Sequence, residues 1–411
     1  MRDDLAAGAA TVPLPARGSY AKYRLRLLVA VALFWMGLYL YVPVLTPYVV
    51  HVTGSLGVAG LVVASYGVPQ LLTRLALALW SDGTGRRTVF LRGGTGLVVL
   101  SGAGLAFAHS GLAFMALRVL AGLAASTWAM FSIQYASYLG HDHVSQAMGW
   151  VSLANNVGQV VAVLLGGLVV ERFAVEGAFW ASALIGAGAL ALVWNLPDEL
   201  PAKSGRPRLS LSPLLRHGDV WTASALGIVY QAVTFVTVFG YIPVWGADLG
   251  LSSVQLGVLT ASALVPGAVM TVVAGSWLTP RWGLSRVVPI AFVLVAAGTG
   301  VTPWLGAGLA LYAAQAVAGL GRGMLAPTLM TWSVLRVRPP ERTTALALYQ
   351  SLYAGGMIAG PAVAAVVVAR VGVADLLVGA AALAMAGAAA SLLVAGRSAV
   401  RPGAAPRSPA I

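Results

Sequence analysis

Three arginines lie inside apolar runs long enough to cross a bilayer: Arg74, Arg118 and Arg322. A charge held in hydrocarbon costs about 2.5 kcal/mol or more, so it marks a polar interior or a side chain that reaches back to the headgroups. Arg322 sits near the middle of its run between Gly321 and Gly323, too deep to reach a surface. Arg118 is about 10 Å inside its run at 1.5 Å per residue. Arg74 lies near the end of its run, and snorkelling to the headgroups is the expectation for it. The chemistry open to a buried guanidinium is the holding of an anion by its planar fork of N–H donors. The alternative for Arg322 is a structural arginine bonded to helix carbonyls.

Groups that would complement or compete with these charges are placed differently. All twelve acidic residues and all five histidines fall in loops, at termini or at the ends of apolar runs. Proton coupling commonly uses a carboxylate or imidazole inside the membrane, and none is visible. Coupling to a proton or ion through Asp82 or Asp142, or no coupling at all, stays open. Aromatic and amide residues within the runs are candidates to line a ligand cavity: Trp35, Tyr39, Trp128, Asn155, Gln231, Tyr349, Gln350 and Tyr353, with Phe34, Asn156, Gln159 and Tyr230 beside them. Apolar walls with a few placed polar groups suit small organic ligands.

The elements that must position these residues follow from composition. The 411 residues are 59% hydrophobic and 9% charged, against roughly 25% charged in a soluble domain. Apolar runs of about 20 residues, enough for a transmembrane helix, predict twelve spans and an all-α integral membrane protein. They lie at roughly 25–49, 56–80, 88–108, 111–138, 146–170, 178–197, 220–246, 253–278, 287–305, 307–334, 343–369 and 374–395. Residues 1–24 form a tail, 25–197 one six-helix half, 198–219 a linker, 220–395 a second half and 396–411 a second tail. With the N-terminus inside, twenty of the 25 basic residues fall in inner segments, as the positive-inside bias requires. Both termini are therefore expected in the cytoplasm and the protein in the cell membrane. The net charge of +13 is topology, since it is scattered through short loops and makes no nucleic-acid face.

The two halves resemble each other. "YVPV" at 41–44 returns as "YIPV" at 241–244, "ASYGVP" at 64–69 as "ASALVP" at 261–266, and "AGL" at 121–123 again at 318–320. The last two share an offset of 197, which places the counterpart of Arg322 at Ala125, about two helical turns beyond Arg118. Both arginines are thus expected on equivalent faces of equivalent helices, facing one central cavity. Parallel repeats of this kind place a substrate site near the midplane between them.

"ALWSDGTGRR" at 78–87 resembles the signature loop of the major facilitator superfamily, keeping Asp82, Gly85, Arg86 and Arg87 and departing at Ala78 and Gly83. "RVLAG" at 118–122 resembles that family's fourth-helix motif, and "GHDHVSQAMGW", with Asp142, and "PPERTTALALY" resemble its paired acidic loops. The resemblance implies a secondary transporter in which Asp82, Gly85, Arg86, Arg87 and Asp142 brace the cytoplasmic ends in one access state. The Gly-Pro-x-x-Gly-Gly pattern of the antiporter branch is absent from the fifth span, where Gly158, Gly166 and Gly167 have other spacings.

No enzyme is expected, since no nucleophile and base pair within the spans, no phosphate-binding Walker pattern occurs, and there is no cysteine. No cofactor or metal is implied. Export of small amphipathic neutral or anionic molecules by alternating access is the first expectation. Uptake or exchange of an organic anion is the alternative, and a non-transporting membrane receptor or scaffold is the alternative of another class. The partners implied are a small-molecule substrate and the lipid bilayer, for a chain acting as a monomer.

Overall fold

The computed structural model describes residues 20–84, 87–139, 144–198, 217–338 and 341–399. Among these residues there is no strand, and ten helices are long and apolar enough to cross a membrane. The protein is all-α and multi-pass, as hydrocarbon demands: a helix satisfies its backbone polar groups internally, and an open strand does not.

Eight helical elements precede the linker: α1 (Ala21–Tyr39), α2 (Val42–Thr53), α3 (Leu56–Ser65), α4 (Gly67–Thr84), α5 (Arg87–Leu105), α6 (Gly111–Ser126), α7 (Trp128–Leu139) and α8 (Val144–Trp194). After it come α9 (Gly218–Val236), a π-helical turn Thr237–Tyr241, α10 (Ile242–Asp248), α11 (Ser253–Val273), a second π turn Ala274–Leu278, α12 (Thr279–Trp282), α13 (Leu284–Val301), α14 (Leu309–Val334) and α15 (Arg342–Ala399). Hydropathy predicts twelve separate spans, whereas here the fifth and sixth run together in α8 and the eleventh and twelfth in α15. These helices have 51 and 58 residues, about 77 and 87 Å at 1.5 Å per residue, more than twice a hydrocarbon core of about 30 Å. Each is broken where a loop is expected: at Phe173 and Ala174 in α8, and at Gly372, with φ of 79°, in α15. A positive φ is the conformation that glycine adopts without steric cost.

The internal repeat has a local structural meaning. Tyr41 and Tyr241, each 1% exposed, stand before short helices that carry proline in their first turn, Pro43 in α2 and Pro243 in α10. Proline is tolerated there because the first helical N–H groups have no intrahelical partner.

Buried residues fall into three main clusters. One is built from elements before the linker, together with Phe235, Ala354 and Met357, and one wholly from elements after it. The third joins both sets, from Tyr41, Leu45 and Val49 to Tyr241, Val244 and Leu376. This joint core lies at the end of the bundle opposite residues 20 and 399. There Thr46 Oγ1 donates to the Gly240 carbonyl at 2.7 Å, Tyr241 Oη to the Leu56 carbonyl at 3.0 Å, and the Val254 N–H to Glu171 at 3.2 Å. A Cβ on Gly60 would stand 2.5 Å from Tyr241 Oη and 2.9 Å from the Pro361 carbonyl. Small residues let helix backbones meet where lipid offers no hydrophobic drive for association, so this end is shut.

Candidate functional site

Between the two sets of helices lies a cavity of about 320 Å³, at the lower end of the roughly 300–1,000 Å³ of small-ligand sites. Of the residues expected to line it, Arg322, Trp35, Tyr39, Trp128, Asn155, Gln231 and Tyr353 do so, with Asn156, Gln159 and Tyr230 beside them. Four expected residues do not border it: Tyr349, Gln350, Phe34 and Arg118. Tyr349, 1% exposed, packs on α9, where a Cβ on Gly227 would come within 2.9 Å of its ring. Gln350 is half-buried away from the lining. Phe34 is fully buried against Phe131 and also lies outside it.

Arg322 is placed by its glycine neighbours. A Cβ on Gly321 would meet Val295 of α13 at 2.9 Å, and Gly323 lies directly against the backbone of Gly267 in α11. With α14 pressed against a helix on each side, the side chain between them projects into the cavity. It is 6% exposed, and Nη2 donates to Thr237 Oγ1 at 3.4 Å, while Nε and Nη1 are buried with no partner among the described residues. Thr237 in turn donates to the Val233 carbonyl at 2.7 Å, so its hydroxyl is oriented to accept. It opens the π turn, a local widening often found at functional sites.

Arg74 departs from expectation. Instead of reaching for the headgroups, it is 7% exposed and lines the same cavity. Gln70, one turn earlier on α4, accepts from Nη2 at 2.6 Å, and the Tyr353 hydroxyl of α15 accepts from Nη1 at 2.8 Å. These two acceptors hold it inward, and its Nε is buried without a partner among the described residues. The signal for this was a glutamine at i−4 on the same helix face.

Arg118 is also 5% exposed but borders a different space, a void of about 10 Å³. Its guanidinium lies 4.4 Å from the Tyr66 ring centroid, and Nη1 donates to Tyr41 Oη at 3.3 Å. Tyr39, Tyr66, Phe235 and Phe239 line both spaces. Phe239 packs edge-on to Tyr39 and Phe235, with ring centroids 5.7 and 5.0 Å apart, and Tyr66 stacks on Phe235 at 6.0 Å. This aromatic partition separates Arg118 from the main cavity, correcting the expectation that Arg118 and Arg322 face one space. The partition residues other than Tyr39 were missed in the sequence, because Phe235 and Phe239 are indistinguishable there from core aromatics.

The main cavity is therefore lined by two guanidiniums, three amides of α8, two glutamines and a ring of aromatics, with no Asp, Glu or His among its described lining residues. Removing one charge from water without a counter-charge is costly, and among the described residues neither Arg74 nor Arg322 has one. No group of three or more side chains able to hold a metal occurs among the described residues. Of the expected brace, Gly85, Arg86 and Asp142 lie outside the described residues, Asp82 is described only as part of α4, and Arg87 opens α5 half-buried. At that end Asp198 caps α5, accepting from the Thr88 N–H at 2.8 Å and from its hydroxyl at 2.7 Å.

Helices from before and after the linker share one packed core and line one cavity between them, as in membrane transporters built from two sets of helices. The Major Facilitator Superfamily profile matches residues 27–265 and 241–410, and the chain belongs to that superfamily. It is a secondary transporter that moves small molecules across a membrane. It is 23% identical over 226 residues to the inner membrane transport protein YajR of Escherichia coli (strain K12), covering 54% of this chain and 49% of that one. The chain thus matches about half the length of that relative. A point variant of the nucleoside transporter NupG superposes with a TM-score of 0.79 at 13% identity, over 90% of this chain and 99% of that one. The human organic anion transporter MFSD10 superposes with a TM-score of 0.64 at 20% identity, over 92% and 100%. At these identities the likeness is one of fold.

Proposed function

We propose that this transporter carries a small organic anion, by uptake or exchange, with Arg322 holding the negative group and the aromatic walls holding the body. The observation that carries the reading is Arg322 itself: buried at the cavity wall, with Nε and Nη1 unpartnered and no carboxylate in the lining among the described residues. An uncompensated guanidinium in a low-dielectric site attracts anions and repels cations. Aromatic walls alone would suit an exporter of amphipathic compounds equally well; the paired positive charge favours the anion. The fold accommodates such cargo, since MFSD10 bears the description of an organic anion transporter. Exchange of one anion for another needs no titrating group, in keeping with a described lining free of Asp, Glu and His.

In this reading the breaks in α8 and α15 turn ten long helices into twelve crossings, in six-helix halves at 25–197 and 220–395. The positive-inside bias of the basic loops supports cytoplasmic termini; the shut end is then external and the cavity belongs to the inward-facing state. Asp82, Gly85, Arg86, Arg87 and Asp142 then brace the inner ends when the protein faces outward. The test is a thermal-shift screen of matched anionic, neutral and cationic small molecules on wild type and Arg322→Gln, since ligands stabilise the state they bind. Stabilisation by anions that vanishes in the variant is expected. Stabilisation by lipophilic cations in both proteins would overturn the reading.

A further inference from the structure

We propose that Arg74 is a second anion-holding residue of the cavity and that, with Arg322, it selects a substrate bearing two negative groups. This rests on the reading of the cavity as an anion site. Two observations carry it. Arg74 and Arg322 come from helices on opposite sides of the linker yet line one cavity, each more than nine-tenths buried. Each also retains buried N–H donors without partners among the described residues, Nε on Arg74 and Nε and Nη1 on Arg322.

The acceptors that Arg74 does have, Gln70 and Tyr353, are neutral. They fix its direction without cancelling its charge. A monoanion would neutralise one guanidinium and leave the other buried and uncompensated at the wall of the same cavity. A dianion neutralises both, and each carboxylate meets a planar fork suited to bidentate hydrogen bonding. Tyr353 accepts from Arg74, which leaves its own O–H able to donate to the same carboxylate. The small volume, about 320 Å³, restricts the spacer between the two charges to a short chain or a single ring. Because one guanidinium belongs to the α1–α8 set and the other to the α9–α15 set, such a substrate ties the two sets together when it binds.

The experiment uses the purified full chain and pairs the dicarboxylates from malonate to suberate, and isophthalate, with the monocarboxylates of matching length. Thermal shifts are read at constant ionic strength for wild type, Arg74→Gln, Arg74→Lys and Arg322→Gln. In wild type a dicarboxylate should reach half-maximal shift at about a tenfold lower concentration than its monocarboxylate partner. Arg74→Gln should erase that preference while leaving monocarboxylate binding in place, and Arg74→Lys, which keeps the charge without the fork, should retain part of it. Arg322→Gln should lose both ligands. Equal response to mono- and dicarboxylates in wild type, or a preference that survives Arg74→Gln, overturns the proposal. Should Arg74→Gln not fold, the wild-type comparison and Arg74→Lys still decide. A wild type that no anion stabilises instead overturns the underlying reading of the cavity.

Discussion

The guanidinium of Arg74 donates to the Tyr353 hydroxyl at 2.8 Å, with its carbon 5.6 Å from the centre of the same ring. The bond joins α4 to α15, helices from opposite sides of the linker, at the wall of the cavity. At the far end the same two sets meet through backbone-close glycines and the Tyr241–Leu56 hydrogen bond. Among the described residues the two sets therefore meet at a packed junction at one end and at a polar contact beside the ligand space. A rocking motion has to break the first and preserve or exchange the second.

Tyr353→Phe removes the acceptor and leaves a buried charged donor unpaired, at a cost of about 1–3 kcal/mol. The variant should fold, melt a few degrees lower and bind anions less tightly. Melting curves with and without ligand check both effects.

Gly60→Val should force the shut end apart, because even a Cβ there lies 2.5 Å from Tyr241 Oη and 2.9 Å from the Pro361 carbonyl. The chain has no cysteine, so a single Thr46→Cys reports cleanly on this end. Labelling by a membrane-impermeant maleimide should be slow in the Thr46→Cys protein and several-fold faster when Gly60→Val is added. Equal rates would show that the junction does not govern access.

Arg118 and Arg322 should separate in their effects. Arg118→Gln removes the guanidinium from the Tyr66 face, a contact worth about 2 kcal/mol when desolvated, so melting temperature falls while the anion concentration for half-maximal response is unchanged. Arg322→Gln should do the reverse. A large affinity loss in Arg118→Gln would mean that the aromatic partition does not isolate it.

Asp198→Ala removes the cap that holds the Thr88 N–H and hydroxyl. Loss of such a cap costs about 0.5–2 kcal/mol, measurable as a lowered melting temperature with anion affinity intact.

How much of this was legible in the sequence depends on which physical quantity each residue reports. Hydropathy reads depth, so the multi-pass all-α fold and the burial of Arg322 followed directly, and the superfamily loops fixed the family. Azimuth and neighbours are not in that signal. Arg74 near a span end looks like a snorkelling arginine until Gln70 and Tyr353 are seen turning it inward. The 197-residue offset compares positions along the chain and carries nothing of the four aromatics that wall off Arg118. Tyr349 and Tyr353 share one face of α15, yet only Tyr353 reaches the cavity, because Tyr349 is stopped against Gly227.

The most direct test of an anion held by Arg322 is counterflow in proteoliposomes. Vesicles are loaded with an unlabelled organic anion that stabilises the wild type, and entry of its labelled form is followed. Wild type should accumulate label only when the vesicles are preloaded, and Arg322→Gln should fall to the protein-free rate. Undiminished counterflow in Arg322→Gln, or accumulation of a lipophilic cation in place of the anion, would contradict the account.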